Sequence, residues 1–595
     1  MQKTYSSDSF KTNVKFDSSK LDIKTAVLEI SVNANEGFLE SKGHKWHFVQ
    51  PVEILDVCIA EKNTGNGSVV RLDIELIYQN GSEIWYIYPE LPFLCTESHL
   101  DGRIFTLNTP HVQLTTVELV DVTDNNDSLV KESVHQYYKT HSARGNMFLV
   151  EDNLQNSGLL IVKHSPCPDS AVRSAPDGDL RLTKDGQVVL NGCGYGAAYG
   201  IGDPKELFDH YKELYANICN IPKKNFIMSN TWGDRSRDKA IKENFVLREI
   251  EAARHLGVDI VQLDDGWQSG SVEEMQQKGL TLEGFWKCDP NFWTLDPKKF
   301  PSGLNTILEK ADELGIKMGF WFAPDSTDDF SRWENDAEIV RVLSEDCGAS
   351  YIKLDGAMIR NQACEDNYFS FLKAISKLRG GKLNFNLDIT YGKRLGYFCG
   401  IEYGTLFVEN RYTDWKNYYP HRTLRNLWQL SRYLPASKFQ FEVLNIRRNA
   451  HLYGDDPLAP ANYDIDWCFA SVMAANPLIW MEMQNLNEED TQALRKIIGI
   501  YRDNRDAMCE MSVHPIGDLP NGIGWSGFFW KGKNSGYVTI FRGITDEDTH
   551  TFSLPVCGKC TVLHSNTDAE VSETPEGLKV TLGKKRGYAF IKYDK

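Results

Sequence analysis

The sequence lacks long apolar runs and an excess of positive charge, and these absences exclude several classes of protein. No window approaches the roughly 20 apolar residues that a membrane-spanning helix needs. The polar first residues, Met1 to Ser6, contain no hydrophobic core of a signal peptide. The formal net charge of -17 disfavours nucleic acid and anionic membrane surfaces as partners, because both would be repelled. We therefore expect a cytoplasmic protein that binds neutral or cationic small molecules.

Paired cysteines and clustered histidines are also missing. The 13 cysteines are scattered, and the one close pair, Cys557 and Cys560, has no second pair at the spacing of a zinc site. No long repeat or low-complexity tract is present. With 41% hydrophobic residues, the composition is that of an ordinary globular protein. The sequence therefore predicts folded domains without a structural metal.

Three regions with different patterns of apolar and polar residues follow one another along the chain. Residues 1–200 alternate β-rich runs, such as 85–88 and 158–162, with turn residues, which indicates an antiparallel β-sandwich. Residues 201–506 alternate short apolar runs with helical patterns such as 244–253. Residues 507–595 return to β-rich runs, such as 524–530 and 536–541, and predict a small carboxyl-terminal antiparallel sandwich.

The middle region contains eight strand-like runs, at 225–229, 259–263, 317–322, 350–354, 383–387, 405–409, 439–444 and 477–481. Eight strands that alternate with helices are typical of a (β/α)8 TIM barrel. We therefore predict a multidomain α/β protein with all-β additions. Its amino-terminal sandwich, catalytic barrel and carboxyl-terminal sandwich would cover 1–200, 201–506 and 507–595.

Polar and aromatic residues follow nearly every one of these strands. They are Asn230 and Trp232; Asp264, Asp265 and Trp267; Trp321; Lys353 and Asp355; Asp388; Asn410, Arg411 and Asp414; Glu442; and Glu482. The carboxyl ends of barrel strands are where such folds keep their chemistry. Tryptophan rings stack against the apolar faces of sugars, and carboxylates and lysine hold hydroxyl groups. This mixture favours a carbohydrate ligand.

Two carboxyl groups on opposite sides of one bond could cleave a glycoside. They would lie about 5 Å apart for retention and about 6.5 to 9.5 Å apart for inversion. Asp355, beside the cationic Lys353, should remain ionised and could attack the anomeric carbon. Asp414, in a loop past the sixth strand, would have to be protonated to donate to the leaving oxygen.

Four passages resemble the α-galactosidases of glycoside hydrolase family 36. They are Ser229-Asn230-Thr231-Trp232, Leu263-Asp264-Asp265-Gly266-Trp267, Asp296-Pro297-Lys298-Lys299-Phe300-Pro301-Ser302-Gly303-Leu304 and Lys353-Leu354-Asp355. They lie in the first half of the predicted barrel, and the sandwich, barrel, sandwich order extends the similarity over most of the chain. The resemblance implies a retaining, exo-acting enzyme without a metal or an organic cofactor. Its partner would be an α-galactoside oligosaccharide or glycoconjugate, and a homo-oligomer is possible.

The resemblance also implies roles for single residues. Asp355 would be the nucleophile, and Lys353 would hold ring hydroxyls. Asp264 and Asp265 would grip the 4-hydroxyl and 6-hydroxyl of a terminal galactose, with Trp321 as an aromatic wall. Trp232, Trp267, Asp388 and Arg411 are further candidates for substrate binding.

The second half of the barrel departs from the family pattern. Arg411 precedes Asp414 by three residues, where related enzymes have four, and no cysteine-containing glycine-rich segment precedes this region. Asp414 is our candidate for the acid/base, with Glu409 as its rival. The passage Ala323-Pro324-Asp325-Ser326-Thr327-Asp328 also differs, which leaves the monosaccharide open.

Other functions therefore remain as alternatives. One is an α-glycosidase of the same clan with another specificity: an α-N-acetylgalactosaminidase, an arabinopyranosidase or a transglycosylase of the raffinose-synthase kind. A second is a carbohydrate-binding protein without catalysis. A metal-dependent hydrolase is disfavoured, because the 14 histidines do not gather at the strand ends.

Overall fold

The computed structural model describes most of the chain. It covers residues 2–7, 11–49, 53–63, 70–98, 105–106, 111–120, 123, 127–136, 143–164, 180–190, 196–219, 225–234, 240–280, 282–390, 396–398, 400–554 and 558–594. Cys557 of the close cysteine pair lies outside these residues. Within them, every helix is too short or too polar to cross a bilayer, and the histidine, cysteine and acidic side chains form no group that could hold a metal ion.

The amino-terminal region begins with a six-stranded antiparallel meander. Its strands are β1 (Lys3–Ser7), β2 (Thr12–Asp17), β3 (Lys20–Lys24), β4 (Glu29–Val32), β5 (Glu36–Ser41) and β6 (His44–Val49). Alternation of apolar and polar residues sets the buried face: Val14 and Phe16 on β2 are buried, and Lys15 between them is exposed.

A nine-stranded and a four-stranded antiparallel sheet complete this region. The strands are β7 (Asp56–Asn63), β8 (Val70–Tyr78), β9 (Gly81–Ile87), β10 (Phe93–Ser98), β11 (Phe105–Thr106), β12 (Val112–Leu119), β13 (Val130–Gln136), β14 (Ala143–Gly145), β15 (Met147–Asp152), β16 (Ser157–Lys163), β17 (Leu180–Leu182), β18 (Gln187–Leu190) and β19 (Gly196–Gly202). The larger sheet runs β13-β12-β15-β16-β19-β10-β9-β8-β7, and the smaller β11-β18-β17-β14.

Eight parallel strands then close into a barrel. They are β20 (Met228–Asn230), β21 (Ile260–Leu263), β22 (Lys317–Phe322), β23 (Tyr351–Leu354), β24 (Asn384–Asp388), β25 (Thr405–Phe407), β26 (Phe439–Val443) and β27 (Asn476–Ile479). Nearly all of their residues are buried on both faces, as expected for strands between a filled interior and an outer layer of helices.

Ten α-helices accompany the barrel in the described part of the chain. They are α1 (Leu207–Ile218), α2 (Glu243–Leu256), α3 (Val272–Gln277), α4 (Phe285–Cys288), α5 (Asn305–Leu314), α6 (Trp333–Arg341), α7 (Gln362–Ile375), α8 (Pro420–Leu430), α9 (Ile465–Ala470) and α10 (Glu488–Cys509). On α2, the buried residues Val246, Ile250 and Ala253 recur at helical spacing, and Gly257 ends the helix in a left-handed conformation.

The carboxyl-terminal region is antiparallel again. A five-stranded sheet, β28-β29-β30-β35-β32, is accompanied by a three-stranded sheet, β31-β34-β33. The strands are β28 (Ser512–Gly517), β29 (Trp525–Lys531), β30 (Ser535–Arg542), β31 (Thr549–Phe552), β32 (Lys559–Ser565), β33 (Ala569–Thr574), β34 (Gly577–Leu582) and β35 (Tyr588–Asp594).

The predicted fold class is confirmed: a closed eight-stranded barrel lies between antiparallel β regions. Each of the eight predicted strands overlaps an observed one, and the third matches at both ends, Lys317–Phe322. The largest differences are at β20, which begins three residues later than predicted, and at β25 and β27, which each end two residues earlier. The domain boundaries at residues 200 and 506 remain predictions.

Candidate active site

A buried lysine joins three of the barrel strands at their carboxyl ends. The Nζ of Lys353, on β23, lies 3.0 Å from the Oδ2 of Asp264 and 3.5 Å from the Oδ2 of Asp388. Burial alone would lower the pKa of Lys353, but the carboxylates of Asp264, Asp388 and Asp355 outweigh it and raise the pKa. The lysine therefore stays protonated and fixes the two carboxylates.

Asp264 is also held by two neutral side chains, those of Asn230 and Thr231. The Nδ2 of Asn230 lies 2.7 Å from Asp264 Oδ2, and the hydroxyl of Thr231 accepts the Asp264 backbone N–H at 3.0 Å. Behind this layer, Asn230 and Asn386 both hydrogen-bond to Gln262 inside the barrel. Each side chain has a partner, so the arrangement is rigid before any ligand binds.

The carboxylate of Asp355 lies just past the end of β23 and remains partly exposed. One oxygen accepts the indole N–H of Trp321 at 3.1 Å, and the other accepts the backbone N–H of Gly356 at 2.6 Å. Gly356 has a φ of 68°, where a residue with a Cβ would be strained and would also crowd Leu282. The turn after β23 thus aims Asp355 along a fixed direction.

Trp321 is supported from behind by a cluster of aromatic rings. Trp267 is 2% exposed and donates its indole N–H to the carbonyl of Trp321 at 2.9 Å. The ring of Trp293 lies 5.4 Å from that of Trp321. Trp267 thus supports Trp321 from behind, and its contact with a substrate remains a prediction.

Three predicted site residues are both near this cluster and partly exposed: Trp232, Asp265 and Asp355. Asp265 Oδ1 accepts the side-chain amide of Gln268 at 2.5 Å, and the indole of Trp232 donates to the hydroxyl of Tyr412 at 3.0 Å. These groups have surface through which a ligand could reach them. Lys353, Asp264 and Asp388 lie deeper, at 3 to 5% exposure.

Strands β20 and β27 approach closely where the barrel closes. A Cβ at Gly233 would lie 2.0 Å from the backbone oxygen of Trp480, so only glycine fits there. The Trp480 ring in turn lies 5.2 Å from the ammonium of Lys353, as a cation–π partner. Trp480 was not among our predicted site residues, although it directly follows β27.

The other side of the site holds two buried carboxylates. Glu409 and Glu442 are each 0% exposed. Glu409 Oε1 accepts the side-chain amide of Asn426 at 2.6 Å, and Glu442 accepts the backbone N–H of Arg411 at 3.1 Å. Burial, with the nearby Glu409 charge, raises the pKa of Glu442. Glu409 is enclosed, which counts against it as the acid/base.

Arg411 reaches into the amino-terminal region. It is 4% exposed, and its guanidinium donates to the carbonyl of Thr123 at 2.7 Å and lies 3.9 Å from Glu409. The Thr123 N–H in turn donates to the carbonyl of Thr390 at 3.0 Å. Thr390 also holds Asp388, through its hydroxyl at 2.8 Å. One residue of the sandwich thus bridges the loops after β24 and β25.

Asp414 lies on an exposed turn, in which the Lys416 N–H donates to the carbonyl of Thr413. The hydroxyl of Thr413 accepts the side-chain amide of Asn449 at 3.0 Å, which ties the turn to the next barrel loop. The neighbouring ring of Trp415 packs edge to face against Tyr412, the partner of Trp232. The turn that carries Asp414 is therefore linked to the aromatic residues Tyr412 and Trp232.

The passage that departs from the family pattern is anchored through Asp325. This carboxylate accepts the backbone N–H groups of Gly284 at 2.8 Å, Thr327 at 3.0 Å and Trp286 at 3.3 Å. Its own backbone N–H donates to Asp336. Both oxygens of Asp325 are thus engaged by the protein, and the loop is fixed without a ligand.

Several residues that position the site were absent from our prediction. Gln262 and Asn386 had a visible signal, since each interrupts an apolar strand with an amide. Thr123 and Asn426 had no such signal in the sequence. Thr123 lies about 290 residues before Asp414 and Asn426 lies about 12 residues after it, and only folding brings both residues to this passage.

Part of the barrel region is similar in sequence to known proteins. Residues 199–337 match the Melibiase family model. Alpha-galactosidase 2 of Pediococcus pentosaceus is 31% identical over 127 residues, which are 21% of this chain and 15% of that relative. Alpha-galactosidase AgaA of Geobacillus stearothermophilus is 26% identical over 99 residues, which are 17% of this chain and 12% of that relative. The matched segments thus span 15% or less of these relatives.

Solved structures extend the similarity to the whole chain. A family 36 α-galactosidase AgaA variant of G. stearothermophilus, in complex with raffinose, has a TM-score of 0.65 at 12% identity and covers 100% of both chains. The galactosidase domain of the α-galactosidase-sucrose kinase AgaSK also has a TM-score of 0.65, at 11% identity, with 100% of both chains covered. At such identities these structures show a shared fold.

The closed barrel and its flanking β regions have the fold of the family 36 α-galactosidase structures, and carboxylates gather at the carboxyl end of the barrel. The Melibiase family model and the curated α-galactosidases are similar to shorter segments of the chain. The predicted resemblance to the α-galactosidases of glycoside hydrolase family 36 is confirmed.

Proposed function

We propose that this protein hydrolyses terminal α-linked galactose from oligosaccharides or glycoconjugates, with retention of configuration. The observation that carries the proposal is the buried cluster at the carboxyl end of the barrel, in which Lys353 contacts both Asp264 and Asp388. Asp355 lies beside this cluster and accepts a hydrogen bond from Trp321. The similarity to α-galactosidases supports the choice of sugar.

The nucleophilic half of the reaction rests on Asp355. Its carboxylate attacks the anomeric carbon, and a covalent glycosyl-enzyme forms as the glycosidic bond breaks. The Trp321 and Gly356 donors hold the carboxylate in one orientation, so little ordering remains for the transition state. Lys353 and Asp264 bind ring hydroxyls, and Asp265 and Trp232 offer exposed surface to the rest of the galactose.

The acid/base half rests on Asp414. Its carboxyl protonates the departing oxygen, and its carboxylate then takes a proton from the water that hydrolyses the glycosyl-enzyme. The exposure of Asp414 supports this role, because leaving group and water both reach it from solvent. Arg411 and Glu442 position the backbone of this passage rather than bind the sugar.

The stereochemistry of the first product tests the mechanism. With an aryl α-galactoside as substrate, proton NMR should detect α-galactose first, and β-galactose only later through mutarotation. Initial release of β-galactose would show inversion and would exclude Asp355 as a nucleophile. Absence of hydrolysis over a wide pH range, with galactose still bound, would favour the non-catalytic alternative.

A second candidate is hydrolysis or transfer of another α-linked sugar by the same machinery. The observation that favours it is Asp325, whose oxygens are occupied by backbone N–H groups in the passage that differs from the family. A panel of aryl α-glycosides decides between them. The galactoside should be cleaved fastest, and faster cleavage of the N-acetylgalactosaminide or the arabinopyranoside would replace galactose in the proposal.

A further inference from the structure

A cavity of about 890 Å³ lies at the amino ends of the barrel strands, away from the candidate active site. Tyr351, Asn384 and Thr405, the first residues of β23, β24 and β25, line one side of it. Cys95 and Thr96 of β10, in the nine-stranded sheet, line another. The volume falls within the range of about 300 to 1,000 Å³ that is common for small-molecule sites.

The wall formed by α7 offers hydrogen-bond acceptors that the protein leaves underused. Glu365 is 6% exposed, and the charge of Lys163 and a hydrogen bond from Gln362 do not offset its burial, so its pKa stays raised. The Oε1 of Gln362 is buried without a hydrogen-bond partner in the described part of the structure. Leaving buried acceptors unpaired is unfavourable, so a ligand with several donors would be stabilised here.

Burial is the main reason that the pKa of Glu365 rises to about 7, and the charges of Asp366 and Glu97 add to the effect. Near neutral pH its carboxyl group is protonated about half of the time. It can therefore donate to one oxygen of a ligand as well as accept from another, which matches a hydroxyl group.

The cavity also has aromatic walls and little free positive charge. Tyr86, Phe369 and Tyr403 line it and are partly exposed. Both Arg71 and Lys62 pair with Asp73, at 2.7 and 2.8 Å. The remaining lining groups carry more carboxylates than ammonium groups, which disfavours phosphates and organic acids.

We propose that this cavity is a second, non-catalytic binding site for a neutral oligosaccharide. Aromatic faces would stack on the sugar rings, and the acceptors on α7 would bind their hydroxyls. The site lies between sandwich and barrel, so a bound sugar would contact both regions.

Raffinose is the probe, and the full-length Asp355→Asn protein is the host, because it should bind the sugar without consuming it. Calorimetric titration should find two raffinose molecules per chain. Ser370→Trp, on the cavity-lining face of α7, should fill the cavity and remove one of them. Glu365→Gln should weaken the same site about tenfold. Glu309→Gln, an exposed carboxylate on α5, is the matched control and should change neither site.

Thermal unfolding would first confirm that each variant is folded. A single raffinose per chain that survives Ser370→Trp would overturn the cavity site and leave the proposed function standing. A single raffinose that Ser370→Trp removes would support the cavity site and count against sugar binding in the active site. If spermidine binds in the cavity and raffinose does not, the site takes cations and the proposal is wrong.

Discussion

The two halves of the barrel's carboxyl end are built differently. On β20 to β24 the buried carboxylates Asp264 and Asp388 contact one lysine, and Asn230 and Thr390 of the barrel also hydrogen-bond to them. On β25 and β26, Glu409 and Glu442 are both fully buried and share the more distant Arg411. That arginine is itself held by Thr123 of the amino-terminal region.

The difference separates a self-contained half from a dependent one. The half with the proposed nucleophile is built mainly from β20 to β24, with Trp480 after β27 beside its lysine, and its charges compensate each other locally. The half with the proposed acid/base is completed by a distant segment and by an exposed turn. This contrast predicts that changes in the first half affect chemistry and stability together, whereas changes in the second half affect leaving groups and pH dependence.

The largest effect is expected at Asp355. Asp355→Asn removes the attacking charge and keeps the side-chain volume, so turnover of an aryl α-galactoside should fall by about 10³-fold or more. The unfolding midpoint should stay near that of the unchanged protein. Asp312→Asn, an exposed carboxylate on α5, is the control and should retain full activity. If Asp355→Asn is about as active as the unchanged protein, Asp355 is not the nucleophile.

The next effect tests the acid/base half. Asp414→Asn should slow cleavage of raffinose by about 10²-fold or more, because the sugar leaving group needs a proton. An aryl galactoside with an acidic phenol needs little such help, so Asp414→Asn should release the first equivalent of phenol and retain kcat/KM almost normally. Its kcat should still fall, because hydrolysis of the glycosyl-enzyme lacks its base. Glu409→Gln is the competing variant. If Glu409→Gln shows this dependence on the leaving group and Asp414→Asn does not, the acid/base assignment must move to Glu409.

Removal of the central cation tests whether the first half is self-contained. Lys353→Met keeps the volume but leaves Asp264 and Asp388 buried without their partner, which should cost about 3 to 5 kcal/mol of unfolding free energy in urea. Lys287→Met breaks the exposed pair with Asp328 and should cost under about 1 kcal/mol. Similar costs for the two variants would contradict the contrast between the halves.

The smallest effect concerns pH. Burial and Glu409 raise the folded-state pKa of Glu442 above 4.5, so its contribution to stability is complete below pH 4.5 and is lost as pH rises through the folded pKa. Relative to Glu442→Gln, the unchanged protein should lose at most about 1.4 kcal/mol per pH unit over this window. The charge of Lys353 lowers the pKa of Glu442, so Lys353→Met should raise that pKa further and make the loss of stability with pH steeper in this window.

Urea unfolding of the three proteins from about pH 4.5 to pH 8 measures this difference. A constant gap between the unchanged protein and Glu442→Gln would show that Glu442 is ionised in the folded state throughout. The second half would then have compensated charges like the first.

The fold and the first half of the site were predictable from sequence. Apolar runs of strand length alternate with helical patterns, and the polar residues that end each run are adjacent to it in the chain. Lys353 and Asp355, or Asp264 and Asp265, are placed by the strand that precedes them, so their position at one end of the barrel follows from the strand itself.

The roles of the residues that support the site were harder to predict from sequence. Trp267 belongs to a strong motif, yet its indole turns inward to the backbone of Trp321. Arg411 also belongs to a recognisable passage, but its guanidinium contacts Thr123. A motif specifies where the backbone carries a side chain, and the packing around it decides which direction that side chain takes.

By itself the sequence determined the eight-stranded barrel, the flanking β regions and the row of carboxylates at one end, because these follow from periodicity and from residues next to the strands. Only the tertiary structure decided that one lysine joins Asp264 and Asp388, that Glu409 is enclosed while Asp414 is exposed, and that Thr123 of the sandwich holds Arg411 near Asp414. Those features depend on contacts between residues far apart in the chain, and chain closure, not local pattern, brings them together.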